Sequence, residues 1–227
     1  MFGIGGGLIA IPVLGVFFGL DQQIAQGTAL VMVVPNVMLA LWRYHQRNRI
    51  DLRHVLALAL PGFLLAILGS LVAVSLDAER MRSGFVVFLV ALAAYNLFRV
   101  FWQAPRRATG LAERWPWLTL VGAGSGFFGG LFAVGGSVIA TPLLTSLFGA
   151  SQVVAQGLAL SLAAPSTTVA LVTYGLHGEV LWSVGLALAV GGLLSISLGV
   201  RLAHAMPEAV LKCLFSAFLL VSAFLLR

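Results

Sequence analysis

Residues 3–14 read Gly3-Ile4-Gly5-Gly6-Gly7-Leu8-Ile9-Ala10-Ile11-Pro12-Val13-Leu14. A similar stretch begins 130 residues later, as Ala133-Val134-Gly135-Gly136-Ser137-Val138-Ile139-Ala140-Thr141-Pro142-Leu143-Leu144. The same offset pairs Ala25-Gln26-Gly27 with Ala155-Gln156-Gly157, and Tyr44 with Tyr174. Because identities persist at one offset without a gap, we interpret the pattern as an internal duplication. It predicts two homologous halves.

Each copy of the stretch is typical of an interrupted helix. Consecutive glycines weaken a helix, and neither Pro12 nor Pro142 can donate an N–H to the preceding turn. Inside a bilayer, irregular backbone persists only where protein or a water-lined cavity satisfies its polar groups. Paired interruptions at corresponding positions of two halves indicate a transporter's binding site. The alternative is that the glycines serve only close packing between helices.

The composition is that of a membrane protein. Of the 227 residues, 60% are hydrophobic and 9% are charged, with a mean hydropathy of +1.06. We therefore predict an all-α, polytopic transmembrane bundle with glycine-broken helices, whose main partner is the lipid bilayer. The net charge of +6 reflects arginines in short loops, which orient a protein in the membrane, so no nucleic-acid partner is expected. The lone Cys213 rules out an intrachain disulfide, and no metal or other cofactor is predicted.

The chain divides into three parts by sequence. Residues 1–102 form the first transmembrane repeat, 103–115 a basic cytoplasmic linker, and 116–227 the second transmembrane repeat. A glycine-rich run from Trp117 to Leu131 precedes the second interruption, whereas almost nothing precedes the first. We therefore expect that the first repeat is short at its start and lacks part of its first helix.

The relative direction of the two repeats depends on the interrupted segments. If these segments cross the membrane, the repeats are parallel; if they fold back as re-entrant hairpins, the repeats are inverted. With the Arg43–Arg53 loop in the cytoplasm, only the inverted arrangement also brings Arg201 and Lys212 to that side. Charge bias therefore favours inverted repeats.

The candidate binding residues are small or neutral. All seven acids lie in or near predicted loops, and no catalytic set of side chains is apparent, so we do not expect an enzyme. Glycines at the start of a half-helix leave backbone N–H groups that favour an anion. We expect the substrate to contact Gly5, Gly6, Gly7, Gln26, Thr28, Gly135, Gly136, Ser137 and Gln156, with Pro12 and Pro142 shaping the breaks. For the glutamines, hydrogen bonding between helices is the alternative.

These motifs resemble the TauE/SafE family of membrane transporters. The resemblance rests on Gly3-Ile4-Gly5-Gly6-Gly7 with Pro12, followed by Ala25-Gln26-Gly27-Thr28-Ala29. The second copy departs from the pattern, because Ser137 replaces the last glycine and Leu158 replaces the threonine. Members of the family begin with a glycine-rich helix ahead of the first motif and are associated with export of sulfite or organosulfonates such as sulfoacetate. The resemblance thus implies a small, sulfur-containing oxyanion as substrate.

Together these features predict a secondary transporter of a small inorganic or organic anion that works by alternating access between its halves. We expect it in the bacterial inner membrane. A passive anion channel and a non-transporting scaffold subunit are the alternatives. The sequence leaves open whether identical chains associate into a homo-oligomer.

Overall fold

A computed structural model describes residues 6–47, 51–102, 115–204 and 208–226, with side chains within 6–46, 51–98, 116–194 and 213–226. These residues form helices and no strand, so the all-α prediction is confirmed. In chain order the helices are α1 Gly7–Phe17, α2 Gln22–Arg47, α3 Leu52–Ser75, α4 Ala78–Trp102, α5 Trp115–Leu131, α6 Ser137–Leu147, α7 Gln152–Leu176, α8 Trp182–His204 and α9 Glu208–Leu225.

Four of the helices, α2, α3, α4 and α7, are long and apolar enough to cross a membrane. The described parts of α8 and α9 contribute shorter apolar stretches, Trp182–Leu194 and Cys213–Leu225. By contrast, α1 and α6 have 11 residues each, and a helix of that length spans only about 16 Å, roughly half of a ~30 Å hydrocarbon core. The chain therefore combines membrane-length helices with two half-length ones.

The helix starts follow the offset seen in the sequence. Four pairs of helices begin 130 residues apart: Gly7 and Ser137, Gln22 and Gln152, Leu52 and Trp182, Ala78 and Glu208. The helix α5 has no counterpart among the described residues. Most of the predicted linker, 103–114, lies outside them, and α5 already begins at Trp115. The common origin of the halves stays a prediction.

The corresponding helices α2 and α7 run in opposite directions. Early in α2, Gln26 bonds to Tyr174 late in α7, whereas Tyr44, late in α2, packs on Gly157 early in α7. We name the two ends of the bundle by residues of α2: the Asp21 end, where α2 begins and α7 ends, and the Arg43 end, where α2 ends and α7 begins. This antiparallel packing agrees with the inverted arrangement that charge bias favoured.

The helices α5 and α6 form a re-entrant hairpin. Since α3 begins five residues after the last residue of α2 and packs on α7, it runs parallel to α7. Contacts of Gly122 with Leu58 and of Gly130 with Ala66 show that α5 runs parallel to α3. The helix α6 instead starts beside Leu162, in the middle of α7, and returns toward the start of α7. The chain thus enters from the Arg43 end, turns within the bundle and leaves at the same end.

Candidate functional site

The two interruptions lie next to each other inside the bundle. The helix α1 begins after Gly6, which has a φ of 87°, and α6 follows a loop in which Ala133 and Gly135 have φ values of 56° and 68°. A methyl group on Gly7 would lie 3.5 Å from the carbonyl oxygen of Ala133 and 3.8 Å from the Cα of Val134. The start of α1 is therefore about one methyl group away from the loop that precedes α6, and Leu8, Ala133 and Val134 belong to one buried cluster.

The amino-terminal ends of α1 and α6 meet near half depth. Gly6 lies against Met32 and Gly136 against Leu162, close to the midpoints of α2 and α7. From there α1 runs to the Asp21 end and α6 to the Arg43 end. Neither Gly6 nor Gly136 provides a side-chain cap for its helix. Two uncapped helix N-termini, each with a partial positive charge, thus face each other in a low-dielectric region.

The prolines do not mark the interruptions themselves. Pro12 lies inside the continuous helix α1, and Pro142 occupies the matching position inside α6. Their missing N–H groups free the carbonyls of Leu8 and Val138 in the first turns of the two helices. The backbone turns are made by glycines and by Ala133, so the prolines act on the turns that follow.

The remaining residues of the predicted site fall in different surroundings. Gly135 packs on Thr167, and Gly136 packs on the backbone of Ser125, so both also serve close packing. Ser137 is buried as the first residue of α6. Gly5 lies outside the described residues.

Polar residues after the interruptions also differ in their surroundings. The hydroxyl of Thr28 accepts a hydrogen bond from the backbone N–H of Leu181, 3.0 Å away, and so helps to hold the start of α8. Gln26 is fully buried, whereas its counterpart Gln156 is only half-buried. Of the two glutamines, Gln26 is therefore the one enclosed by the bundle.

Tyr174 connects Gln26 to the end of α5, which the sequence did not predict. Its side chain is fully buried, and its hydroxyl lies 2.8 Å from Oε1 of Gln26 and 3.0 Å from the carbonyl oxygen of Leu131. A hydroxyl carries one proton, so Tyr174 donates to one of these oxygens at a time. The recurrence of Tyr44 at Tyr174 was the only sequence signal for this residue, and a tyrosine in an apolar helix has many structural roles.

Hydroxyl groups in the middle of α7 already donate within their own helix. Ser166 donates to Leu162, while Thr167 and Thr168 donate to Ala163 and Ala164 respectively. This pattern is common for hydroxyls in apolar helices. These hydroxyls cannot donate to an anion unless those bonds break. The donors that remain near the interruptions are backbone N–H groups, side-chain amides and the buried hydroxyl of Ser125, which has no partner among the described residues.

Acidic groups lie at the Asp21 end, where the α1–α2 turn meets the α7–α8 loop. Burial is the main cause that raises the pKa of Glu179, the carboxylate of Asp21 raises it further, and His177 lowers it. Within the described side chains, no three His, Cys, Asp or Glu residues lie close enough to hold a metal ion.

Comparisons with known proteins indicate similarity to membrane transporters. The family model "Sulfite exporter TauE/SafE" matches residues 1–226. The chain is similar to a "Probable membrane transporter protein" of Haemophilus influenzae, with 26% identity over 92% of this chain and 81% of that protein. It is also similar to a protein of the same description from Xylella fastidiosa, with 28% identity over 89% of this chain and 78% of that protein. No solved structure matches the chain significantly.

Proposed function

The chain belongs to the sulfite exporter TauE/SafE family of multi-pass membrane transporters, and from that membership we propose that it is a secondary transporter of a small anion. The substrate class that we propose is a sulfur-containing oxyanion, sulfite or an organosulfonate. The family description supports this class, since it names a sulfite exporter.

One observation carries the proposal: Gly7 at the start of α1 lies within a methyl group's reach of the loop at Ala133 and Val134. It brings two opposed helix N-termini together at half depth, and half-helix N-termini in broken transmembrane helices bind anionic groups. A site of neutral donors holds an anion weakly enough to release it, as a transport cycle requires. Arginine, which forms stronger bidentate pairs with oxyanions, is not needed in such a site.

The residues that we assign to this site are those at the two interruptions and after them. Gly5, Gly6 and Gly7 with Gly135, Gly136 and Ser137 would present backbone donors, while Gln26, Thr28 and Gln156 would contribute side chains. Pro12 and Pro142 would keep carbonyls of the first helical turns free of backbone partners. Alternation would occur by movement of one half against the other around this point.

The substitution Gly7→Ala tests the assignment with little disturbance of the fold. The added methyl would lie 3.0 Å from a side-chain atom of Val33 and would fill space between the two interruptions. We expect sulfite uptake into liposomes to fall about tenfold or more, since small misplacements at a positioned site have effects of that size. In the matched control, Gly191→Ala, the added methyl meets no atom within 4 Å, and uptake should stay unchanged.

The kinetics of sulfite uptake distinguish a secondary transporter from a passive channel and from a scaffold subunit. A secondary transporter gives uptake that saturates with sulfite concentration and shows counterflow, whereas a passive channel gives neither. A scaffold subunit would move no sulfite or sulfoacetate when reconstituted alone. Either of the last two results, or full activity of Gly7→Ala, would contradict the proposal.

A further inference from the structure

Two buried amide groups lie next to each other at the start of α2. Gln22 and Gln26 are 1% and 0% exposed, and they are four residues apart, so they share one face of the helix. Among the described residues, Nε2 of neither side chain has a hydrogen-bond partner. Burying an amide without a partner is costly, so two such groups side by side are unlike ordinary helix packing.

The unpaired state of Gln26 does not depend on which way its amide faces. With Oε1 toward Tyr174, Nε2 is left without a partner. If the amide turned over, Nε2 would donate to Tyr174 and Oε1 would be the unpaired atom. In either orientation one polar atom of Gln26 stays buried and unpaired, and Gln22 adds a second.

The position of the amides relates them to the proposed transport path. Through Tyr174, Gln26 connects to Leu131, the last residue of α5 before the second interruption. Met32, which packs on Gly6, lies six residues further along α2, a rise of about 9 Å. The amide pair therefore lies between the Asp21 end and the meeting point of the half-helices.

We propose that Gln22 and Gln26 form a second binding site for a small oxyanion, nearer to the Asp21 end than the half-helix termini, and that Gln26 lies between the two sites and serves both. The inference rests on the proposed function, because it takes the transported anion as the ligand. Each amide NH2 has two donors, and an oxyanion has several acceptor oxygens, so one anion satisfies both amides at once. It also selects the orientation in which Nε2 of Gln26 faces the ligand and Oε1 accepts from Tyr174.

The charges around this site make it one of weak binding. Asp21 is exposed in the α1–α2 turn directly before Gln22, and Glu179 and His177 belong to the α7–α8 loop at the same end. The α3–α4 turn, which Gln23 contacts at the carbonyl of Leu76, and the start of α4 add Asp77, Glu79, Arg80 and Arg82 at this end, and Arg80 pairs with Asp77. No arginine or lysine lies among the described loop residues at Asp21 and 177–181, so the neutral amides are the donors there. A site of this kind suits an anion that has left the half-helix termini or is about to enter them.

The test compares Gln22→Met and Gln26→Met with Gln152→Met, the exposed counterpart of Gln22 in the second half. Methionine keeps the length of the side chain and removes the amide. Thermal unfolding of the purified protein is measured in sodium sulfite and in sodium chloride of equal ionic strength, and sulfite uptake is measured in liposomes.

We expect both site variants to lose most of the sulfite-specific stabilisation and to raise KM about tenfold or more. Gln22→Met should also unfold at a higher temperature in chloride, because an unpaired buried amide has been removed, and Gln152→Met should behave as the parent.

The outcomes separate this inference from the proposed function. If the parent transports sulfite and both site variants keep its KM and its stabilisation by sulfite, the amide pair holds at most water and the inference is wrong. If sulfite stabilises the parent through Gln22 and Gln26 but no sulfite is transported, the binding site stands and the transport proposal fails. Loss of uptake by Gln152→Met to the same extent would also overturn the inference, since that side chain lies outside the site.

Discussion

At the scale of single residues, the hydroxyl of Tyr174 connects α2 to the end of α5. It is a buried donor shared by two oxygens, one on α2 and one at the end of α5. A bond to Gln26 leaves the carbonyl of Leu131 to other donors, and a bond to Leu131 lets the Gln26 amide turn. The orientation of the Gln26 amide is thereby linked to the hydrogen bonding of the Leu131 carbonyl, next to the second interruption.

Removing this hydroxyl should weaken both the fold and substrate binding. Tyr174→Phe keeps the packed ring but leaves buried oxygens without their donor, which we expect to lower the free energy of unfolding by about 1–3 kcal/mol. Sulfite affinity should fall as well, because Gln26 loses the partner that orients it. Thermal unfolding and liposome uptake measure the two effects.

Tyr95→Phe provides the matched control for this substitution. The hydroxyl of Tyr95 makes two contacts of 3.4 Å, to the carbonyl of Pro142 and to Ser146, which are longer than the 2.8 and 3.0 Å contacts of Tyr174, so Tyr95→Phe should lower the free energy of unfolding less than Tyr174→Phe does. Equal effects of the two substitutions would contradict a special role for Tyr174.

At the scale of helices, glycines let α3 and α5 pack with their backbones in contact. Gly122, Gly126 and Gly130 recur every four residues on α5, and Gly126 lies directly on Gly62 of α3. A Cβ at Gly126 would overlap the carbonyl of Gly62. Small residues at this spacing are the usual basis of close helix association in membranes. These α5 glycines therefore serve packing, the role that was the alternative for the glycines of the two interruptions.

The packing role predicts different effects for two glycines only two residues apart. Gly126→Ala should force α3 and α5 apart and lower the stability by about 1–3 kcal/mol. At Gly124 a methyl would meet nothing within 4 Å, so Gly124→Ala should be neutral or should stabilise α5 by up to about 1 kcal/mol. Unfolding temperatures of the two variants in detergent test the contrast, and a similar loss in both would argue against backbone contact at Gly126.

The sequence predicted the helices far better than it predicted their contacts. Apolar length and the fixed offset were enough for the helix positions, because those signals are local or are carried by the repeat itself. The half-helix starts at Gly7 and Ser137 could likewise be inferred from the glycines. The contacts of Tyr174, by contrast, join residues 148 and 43 positions apart in the chain, and no local pattern encodes them. Gln22, which we propose as a binding residue, was not among the site residues predicted from the sequence, since its burial depends on neighbouring helices.

At the scale of the whole molecule, the charges are distributed unequally between the two ends. The Arg43 end carries Arg43, Arg47 and Arg53, and the sequence between α4 and α5 adds Arg106, Arg107 and Arg114. The Asp21 end carries the acids Asp21, Asp77, Glu79 and Glu179 beside Arg80 and Arg82. The positive-inside rule therefore predicts that the Arg43 end faces the cytoplasm.

This orientation can be measured by labelling single cysteines in intact cells. In a Cys213→Ala background, Asp21→Cys should react with a membrane-impermeant maleimide added outside, because Asp21 is exposed at the opposite end. Gln46→Cys, also exposed, should react only after the membrane is permeabilised. The reverse pattern would refute the assigned orientation, and labelling of both positions from outside would indicate two orientations.

The half-length of α1 and α6 has an electrical consequence. An anion held where their N-termini meet has passed about half of the hydrocarbon core, so about half of the transmembrane voltage has acted on it. At 100 mV, the electrical free energy for moving one elementary charge is roughly 1 kcal/mol for each half of the path, from either compartment to the meeting point. Voltage would then act in two comparable steps, and exchange of the anion with either compartment would depend on membrane potential to a similar degree.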